Sequence, residues 1–539
     1  MPWKKFPTFF WAVDFVMKKI GRILASSIGI ISLLIVALCF LVPYIKAVLP
    51  AFSSSADLTL SASRIFRIFI YTFLQAFLSM LVALLAGLPA AYLISNTRIP
   101  GKRFLVSLGS IPLCIPPLII ALAYISCFGM NGIYNRILMN IFGLNDSPIQ
   151  FLYSFFGVVM VQGFYNFPLV MVTVSDRWTA LDSSTECSAR ILGASRWRVF
   201  WTVTFPQLVG SIVSSCIPVF LYCFFSFMIV LLFGSAGGTT LEVAVYHAGR
   251  SDLNFSNVAV LSLLETASAF LILFIYSKLE NKSERNYQHS FGIKNKRNVP
   301  FYIVFYIVLF MFFLMPLFSV VFSSLSAGAW KKVLGMNGFF TAIRNTLITG
   351  LSTAVLCTIS GFVYALFLRM NDGLKNNLMV KTVPLLPMAV SSVTMGIGFS
   401  SLVRHGNPLV LVLAQSALSW PFAFRQIHGQ MSNIPREVLQ SSLLLSEHKL
   451  HSVFSVIIPY AKKGIVSAFC FCFAISAGDA TLPLVLSIPK FDTLSLFTYR
   501  LAGSYRFKEG AVCVLVLGLL CMGVFAIAGI YKRGGKDVS

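Results

Sequence analysis

The sequence predicts an all-α polytopic membrane protein of about twelve transmembrane helices, arranged as two parallel six-helix repeats. Three observations carry this expectation. Of 539 residues, 57% are hydrophobic and 11% charged, with a mean hydropathy of +0.83; a soluble chain would be about a quarter charged. Twelve apolar stretches are long enough to cross a bilayer, which takes about 20 residues of helix. The second half of the chain also repeats the first.

The stretches fall at 25–44, 66–95, 104–128, 151–175, 210–233, 256–277, 301–324, 342–368, 378–402, 407–426, 464–488 and 510–531. Backbone groups in lipid must be satisfied internally, so only helices or closed barrels cross it. Continuous apolar runs of this length are not the alternating pattern of a barrel strand. At the N-terminus, Lys4, Lys5, Lys18, Lys19 and Arg22 precede the first run, and no small-x-small cleavage site follows before Pro43. That pattern reads as a retained first span with its N-terminus in the cytoplasm.

Loop charge sets the expected sidedness. The formal net charge is +24, from 42 basic and 18 acidic residues. The basic residues lie in short gaps between apolar runs, including Arg98, Lys102 and Arg103, then Arg190, Arg196 and Arg198, then Lys278 to Arg297, and Lys532, Arg533 and Lys536 at the end. This is the positive-inside pattern with both termini cytoplasmic. No continuous basic face exists, so nucleic acid is not an expected partner. The intervening gaps are poorer in charge, apart from the last, which holds Lys490, Arg500, Arg506 and Lys508.

Other chemistries find no signature. Most of the 11 Cys lie inside apolar runs, with no Cys-x-x-Cys, as expected of small apolar residues in helices. The six His are scattered. His448 and His451 are three apart, but sit in a cytoplasmic loop without a metal-ligand context. There is no Gly-x-x-x-x-Gly-Lys-Ser/Thr, so no ATP site is expected on this chain. Nucleophile–His–acid hydrolase motifs are also missing. The chain therefore reads as a carrier of solutes and not as an enzyme, with no bound cofactor and no metal.

A charged linker, about Lys278 to Asn298, divides the chain into repeats at 1–285 and 286–539. At a shift of 253, Gln162 meets Gln415, Pro168 meets Pro421, Leu192 meets Leu445 and Pro206 meets Pro459. Earlier in each half the shift is 274 to 275: Thr72 meets Thr346, Gly87 meets Gly361 and Pro112 meets Pro387. Six spans separate equivalents, so both copies share one orientation.

The best-matched segments are two long cytoplasmic loops, 181–206 and 434–459. In each, small residues precede a Gly or Ser, and a Pro follows thirteen residues later. A glycine there suits a break between two short helices, and the proline suits the first turn of the next span. These loops resemble the Glu-Ala-Ala loop of permease subunits in binding-protein-dependent ABC importers. The first matches at Ser188, Ala189, Gly193, Val203, Phe205 and Pro206. It departs at Cys187, where the family has Glu, with Glu186 one position early. The second has Gln440, Ser441, Ser442 and Ser446 where Glu, Ala, Ala and Gly are expected.

The resemblance covers nearly the whole chain and is strongest to the thiamine and ferric-iron importer group. It is carried further by Gly234-Ser-Ala-Gly-Gly-Thr-Thr-Leu-Glu-Val-Ala-Val-Tyr246, by Ala477-Gly-Asp-Ala-Thr-Leu482, and by Phe491 to Arg506, which looks closest to thiamine permeases. It implies a type I ABC importer permease fold in a bacterial inner membrane. Two copies of a cytoplasmic ATPase would dock on the two loops and hold the ATP and Mg. The expected coupling residues are Glu186, Ser188, Ala189, Gly193, Ala194 and Pro206 on the first loop, and Gln440, Ser441, Ser442, Ser446 and Pro459 on the second. An external binding protein would deliver thiamine or a thiamine phosphate. Ferric iron is the alternative cargo, and an ion-coupled secondary transporter is the more distant one. The latter would need several membrane-embedded acids.

Individual residues complete the expectation. Asp479, at the outer end of a span, reads either as a pathway carboxylate for a cationic substrate or as a helix cap. Glu265, in mid-span, reads as pathway lining or as interhelical glue. Pro112, Pro116, Pro117, Pro384 and Pro387 read as a gate hinge or as fixed kinks. Tyr246, Tyr499 and Tyr505 are candidate outer-face contacts for an aromatic cation.

Overall fold

In the computed structural model, the described residues are 38–52, 58–97, 101–102, 105–106, 115–181, 183–234, 238–280, 299–370, 383–403, 406–446 and 449–533. Pro112, the 281–298 linker, Glu447 and His448 lie outside them, as does the predicted first span before Leu38. The elements that matter below are α1 (Ala62–Asn96), α2 (Pro117–Phe128), α3 (Phe155–Thr179), α4 (Ser183–Ile191), α5 (Phe205–Phe224), α6 (Met228–Phe233), α7 (Leu241–Arg250) and α8 (Phe255–Glu280). They continue with α9 (Tyr302–Ser324), α10 (Phe339–Met370), α11 (Ser392–Leu402), α12 (Pro408–Ser432), α13 (Arg436–Leu445), α14 (Ile458–Gly478), α15 (Thr481–Leu486), α16 (Leu494–Gly503) and α17 (Phe507–Arg533).

The chain is all-helical over these segments, and among the described residues nine helices are long and apolar enough to cross a membrane. Several of the twelve predicted stretches are divided. The run 210–233 breaks at Phe225–Phe227 into α5 and α6, and 464–488 breaks at Asp479–Ala480 into α14 and α15. The run 378–402 is described as a 3₁₀ segment, Val383–Ala389, followed by the 11-residue α11, which is too short to span by itself. α12 has the length, at 25 residues, but carries Gln415, Arg425, Gln426 and Gln430, and is more polar than the nine. Hydropathy detects the apolar run; it does not detect a break inside one.

Two helix triplets form the core: α1 packs on α3 and α5, and α10 packs on α12 and α14. Lipid removes most of the hydrophobic drive between helices, so close packing of small residues takes over. α1 buries Thr72, Ala76, Ser79, Ala83, Gly87 and Ala90 along one face. A Cβ added at Gly87 would come within 2.7 Å of Val170 Cβ, and one at Gly361 within 2.7 Å of the Phe424 nitrogen. The triplets interlock through their flanks, with α7 against α11 and α9 against α2.

Elements recur at one spacing. π-turns at Phe200–Thr204 and Val453–Ile457, α6 and α15, and α7 and α16 each begin 253 residues apart. Gly234 and Ser487, also 253 apart, both take positive φ, +56° and +45°, where a short helix ends. Thr72 Oγ1 accepts from the Leu241 N–H at 2.9 Å, and Thr346 Oγ1 accepts from the Leu494 N–H at 2.7 Å. Each threonine thereby satisfies one of the orphan donors that open α7 and α16.

Candidate functional site: a carboxylate-bearing cavity and two long loops

A cavity of about 390 Å³ lies among α2, α3, α5, α12 and the α14–α15 break. Its wall is largely apolar, with Phe225, Phe227, Phe422 and Phe471, and carries Gln162 and Asn166 from one triplet, Gln415 from the other, Glu242 from α7 and Asp479 from the α14–α15 break. A mostly apolar concavity of this size with a few converging polar groups is the usual form of a small-molecule site.

Asp479 occupies the break between α14 and α15, and both sequence readings of it have a structural counterpart. Its Oδ1 accepts from the backbone N–H of Thr481 at 2.9 Å and of Leu482 at 3.3 Å, capping α15. Its Oδ2 accepts from Gln415 Nε2 at 3.3 Å, and the residue lines the cavity. Gln415 is itself held by Ser476, whose hydroxyl donates to its Oε1 at 2.6 Å. Gly478 lets α14 run against α2, since a Cβ there would overlap the Pro116 ring.

Glu265 is fully buried but stands behind the cavity wall. Thr394 Oγ1, bonded to Ser262 at 2.9 Å, reaches Glu265 Oε2 at 3.4 Å, tying α8 to α11. This is the interhelical role. Pro116, Pro117 and Pro387 line the cavity; Pro384 is buried near it in the sequence. Pro116 and Pro117 open α2 and Pro387 sits in a 3₁₀ segment, so each stands where a regular ladder is already interrupted.

The three tyrosines do not form one cluster in the cavity. Tyr246, on α7, packs edge-on against Phe227 at 5.2 Å. Burial pushes its phenol up, opposed by Arg250, and Tyr499 is pushed up by burial and by Tyr246 beside it. Tyr505 is 84% exposed, with φ +57°, and packs on Phe507.

The residue that sequence reasoning passed over is Glu242. It sits in the first turn of α7, is 1% exposed, and lines the cavity. Its Oε2 has no hydrogen-bond partner. The available signal was a single acid inside Leu-Glu-Val-Ala-Val, an otherwise apolar run.

The loops at 181–206 and 434–459 differ in their turns. In the first, Gly193 has φ +84°, and Ala194 N–H closes on Ala189 O at 3.1 Å, a left-handed helix end of Schellman type. Ser188 and Ala189 lie on α4, which leads into this turn. Glu186 Oε1 accepts from Thr204 Oγ1 at 2.6 Å, joining α4 to the π-turn below Pro206. In the second, Ser446 is extended, with φ −88°. Ser452 donates to Ser442 O at 2.9 Å and bonds Ser446 Oγ at 2.7 Å, so side chains do what backbone does in the first loop. Gln440 and Ser441 lie on α13, with the Gln440 side chain outside the described set, and Pro459 opens α14. Ile191, Leu192, Leu444 and Leu445 are all more than 70% exposed at these loop tips.

Known proteins give this arrangement its context. Residues 79–282 match the family described as binding-protein-dependent transport system inner membrane component. The chain is similar to the thiamine transport system permease protein ThiP of Brucella abortus, 26% identical over 491 residues, covering 88% of this chain and 89% of that protein. It is similar to ThiP of Escherichia coli at 24% over 484 residues, 87% and 89% of the two chains. It is 30% identical over 201 residues to the molybdenum transport system permease protein ModB of Escherichia coli, covering 37% of this chain and 86% of that one. The chain therefore belongs to the binding-protein-dependent transport system inner membrane components: a multi-pass inner-membrane permease of an ABC importer, not itself an enzyme, in a class of system whose ATP is bound by a separate ATPase.

Proposed function

We propose that this chain is a two-repeat permease that imports thiamine, or a thiamine phosphate, delivered by an external binding protein. The observation that carries the substrate is the similarity to thiamine permeases over nearly the full length of both chains. The cavity is consistent with it: aromatic walls and a carboxylate suit an aromatic cation. Ferric iron has less support, because among the described residues no three His, Cys, Asp or Glu side chains are grouped to hold a metal ion.

The two repeats, 1–285 and 286–539, are parallel in this reading. The 253-residue spacing of matched helices, π-turns and positive-φ ends supports it, as do the equivalent bonds of Thr72 and Thr346. Both termini are cytoplasmic. Two of the four basic residues of the last outer loop, which run against the charge rule, have acidic partners: Arg500 pairs with Asp492 at 2.6 Å and Arg506 with Glu509 at 3.4 Å. One ATPase docks on each of the 181–206 and 434–459 loops through the exposed leucines and isoleucine at their tips. Closure of the ATPases moves the loops together and switches the helices from inward- to outward-facing, so the partner supplies energy and this chain converts it to alternating access.

The test is reconstitution of the chain with its ATPase and binding protein in proteoliposomes. ATP-dependent uptake of labelled thiamine, without uptake of ferric iron or molybdate, is the expected result. Uptake of iron but not thiamine would overturn the substrate, and sustained uptake with no ATPase would overturn the importer. Native mass spectrometry should count two ATPase subunits per chain; one would remove a coupling loop.

A further inference from the structure

We propose that the cavity is a binding site for a cationic heteroaromatic amine, with Glu242 as the carboxylate that takes its charge and the Gln162–Asn166 pair as the groups that read its ring edge. This rests on the permease reading and deepens it.

Asp479 is the conspicuous acid, but its oxygens are occupied by two backbone N–H groups and Gln415. Glu242 is the acid left open. Its Oε2 is buried and unpaired, and it lines the same cavity as Asp479. Arg250, two turns along α7, gives its guanidinium to the Val485 carbonyl, and Arg425, the cation among the cavity's lining residues, stands near Tyr222 and is exposed. Glu242 is held by the Ser391 side chain and lies near the Glu265 and Asp479 carboxylates, with its Oε2 unpaired; burying a carboxylate in that state is costly, and a bound cation offsets the cost.

The second, independent observation lies on α3. Asn166 is 2% exposed and Gln162 1% exposed, and both line the cavity. Asn166 Nδ2 donates to Gln162 O at 3.0 Å, which leaves Asn166 Oδ1 without a partner. Gln162 Oε1 accepts from Gln75 Nε2 and from Ser79 Oγ, which leaves Gln162 Nε2 without a partner. One turn of helix therefore offers an open acceptor and an open donor in the same wall. That pair complements an aromatic amine whose ring nitrogen sits beside its amino group: the amino group donates to Asn166 and the ring nitrogen accepts from Gln162. The aromatic residues of the wall stack the ring.

The site spans both halves. Glu242, Gln162 and Asn166 come from before residue 281, and Asp479 and Gln415 from after it. A ligand held here touches both bodies whose relative motion transports it.

The experiment uses the permease–ATPase complex in nanodiscs, without binding protein. It measures equilibrium binding of thiamine and of its neutral thiophene isostere, which keeps the aminopyrimidine and lacks the charge. Wild type should prefer thiamine by about tenfold, the scale of one charge-assisted contact. Glu242→Gln should lose that preference while still binding the isostere, which also shows that the variant is folded. Glu242→Asp should keep part of the preference. Asn166→Ala should weaken both ligands alike. Equal wild-type affinity for the two ligands would overturn the proposal whatever the variants do, and so would an unchanged preference in Glu242→Gln. If the wild type binds no thiamine, the same comparison is made with N-methylpyridinium. Binding that depends on Glu242 would then keep the cation site while the thiamine reading falls; no binding would remove the site.

Discussion

Substitution of Gly193 isolates the turn of the 181–206 loop from everything around it. The residue has φ +84°, and a Cβ built there meets nothing within 4 Å. The cost of a side chain is therefore backbone strain and not collision. Left-handed backbone costs an L-residue about 1–2 kcal/mol relative to glycine, which lowers the population of the native turn by about 5–30-fold. Asn tolerates this region better than Ala, and a β-branched residue tolerates it worst. The expected order of thiamine transported per ATP hydrolysed, in proteoliposomes with ATPase and binding protein, is Gly, then Asn, then Ala, then Val. At Ser446 the backbone is extended, so Ser446→Val carries no such strain and should lower the ratio less than Gly193→Val. An Asn variant no better than Ala would refute the strain argument, and equal effects of Val at both positions would refute the asymmetry of the loops.

Three further outcomes are expected. Asp479→Asn keeps an acceptor for the Thr481 and Leu482 amides, so it should slow transport at little cost in stability. Asp479→Ala should also lower the unfolding midpoint by the loss of a cap, about 0.5–2 kcal/mol; wild-type transport by the Asn variant would remove Asp479 from the pathway. Gly478→Ala drives a methyl into Pro116 and should cost about 1–3 kcal/mol, visible as a lowered midpoint in detergent, and an unshifted midpoint would show that α2 yields freely. Glu186→Ala and Thr204→Val each break the 2.6 Å bond between α4 and the π-turn, so the double variant should couple no worse than the more damaging single one. Additive losses would mean that the two side chains act separately.

Much of the helical content was legible as apolar length alone: α1, α3, α8, α9, α10 and α17 lie close to stretches chosen by hydropathy. Spacing was legible too. Thr72 and Thr346, matched only by a shift in numbering, turn out to make the same bond to the opening amide of a later helix. The breaks were not legible. Phe225–Phe227 and Asp479–Ala480 interrupt runs that remain apolar on either side, and a sliding sum of hydropathy does not change where backbone direction does.

The site divides the same way. Asp479 stood out because a carboxylate beside a glycine in an apolar span is costly wherever it points, and Glu265 stood out for the same reason. Sequence could not rank them, because both are acids in apolar runs. Sequence by itself determined that the chain lives in lipid, and it raised the expectation that its halves correspond through two long loops of shared pattern, since these readings follow from composition and spacing along one dimension. Only the tertiary structure decided that Asp479 faces the cavity while Glu265 stands behind it, and that Glu242, Gln162 and Asn166 open toward the same space. Those outcomes depend on the rotation of each helix about its axis and on which helix lies across from it, and residues as far apart in the chain as Gln162 and Asp479 meet there only once the triplets have packed.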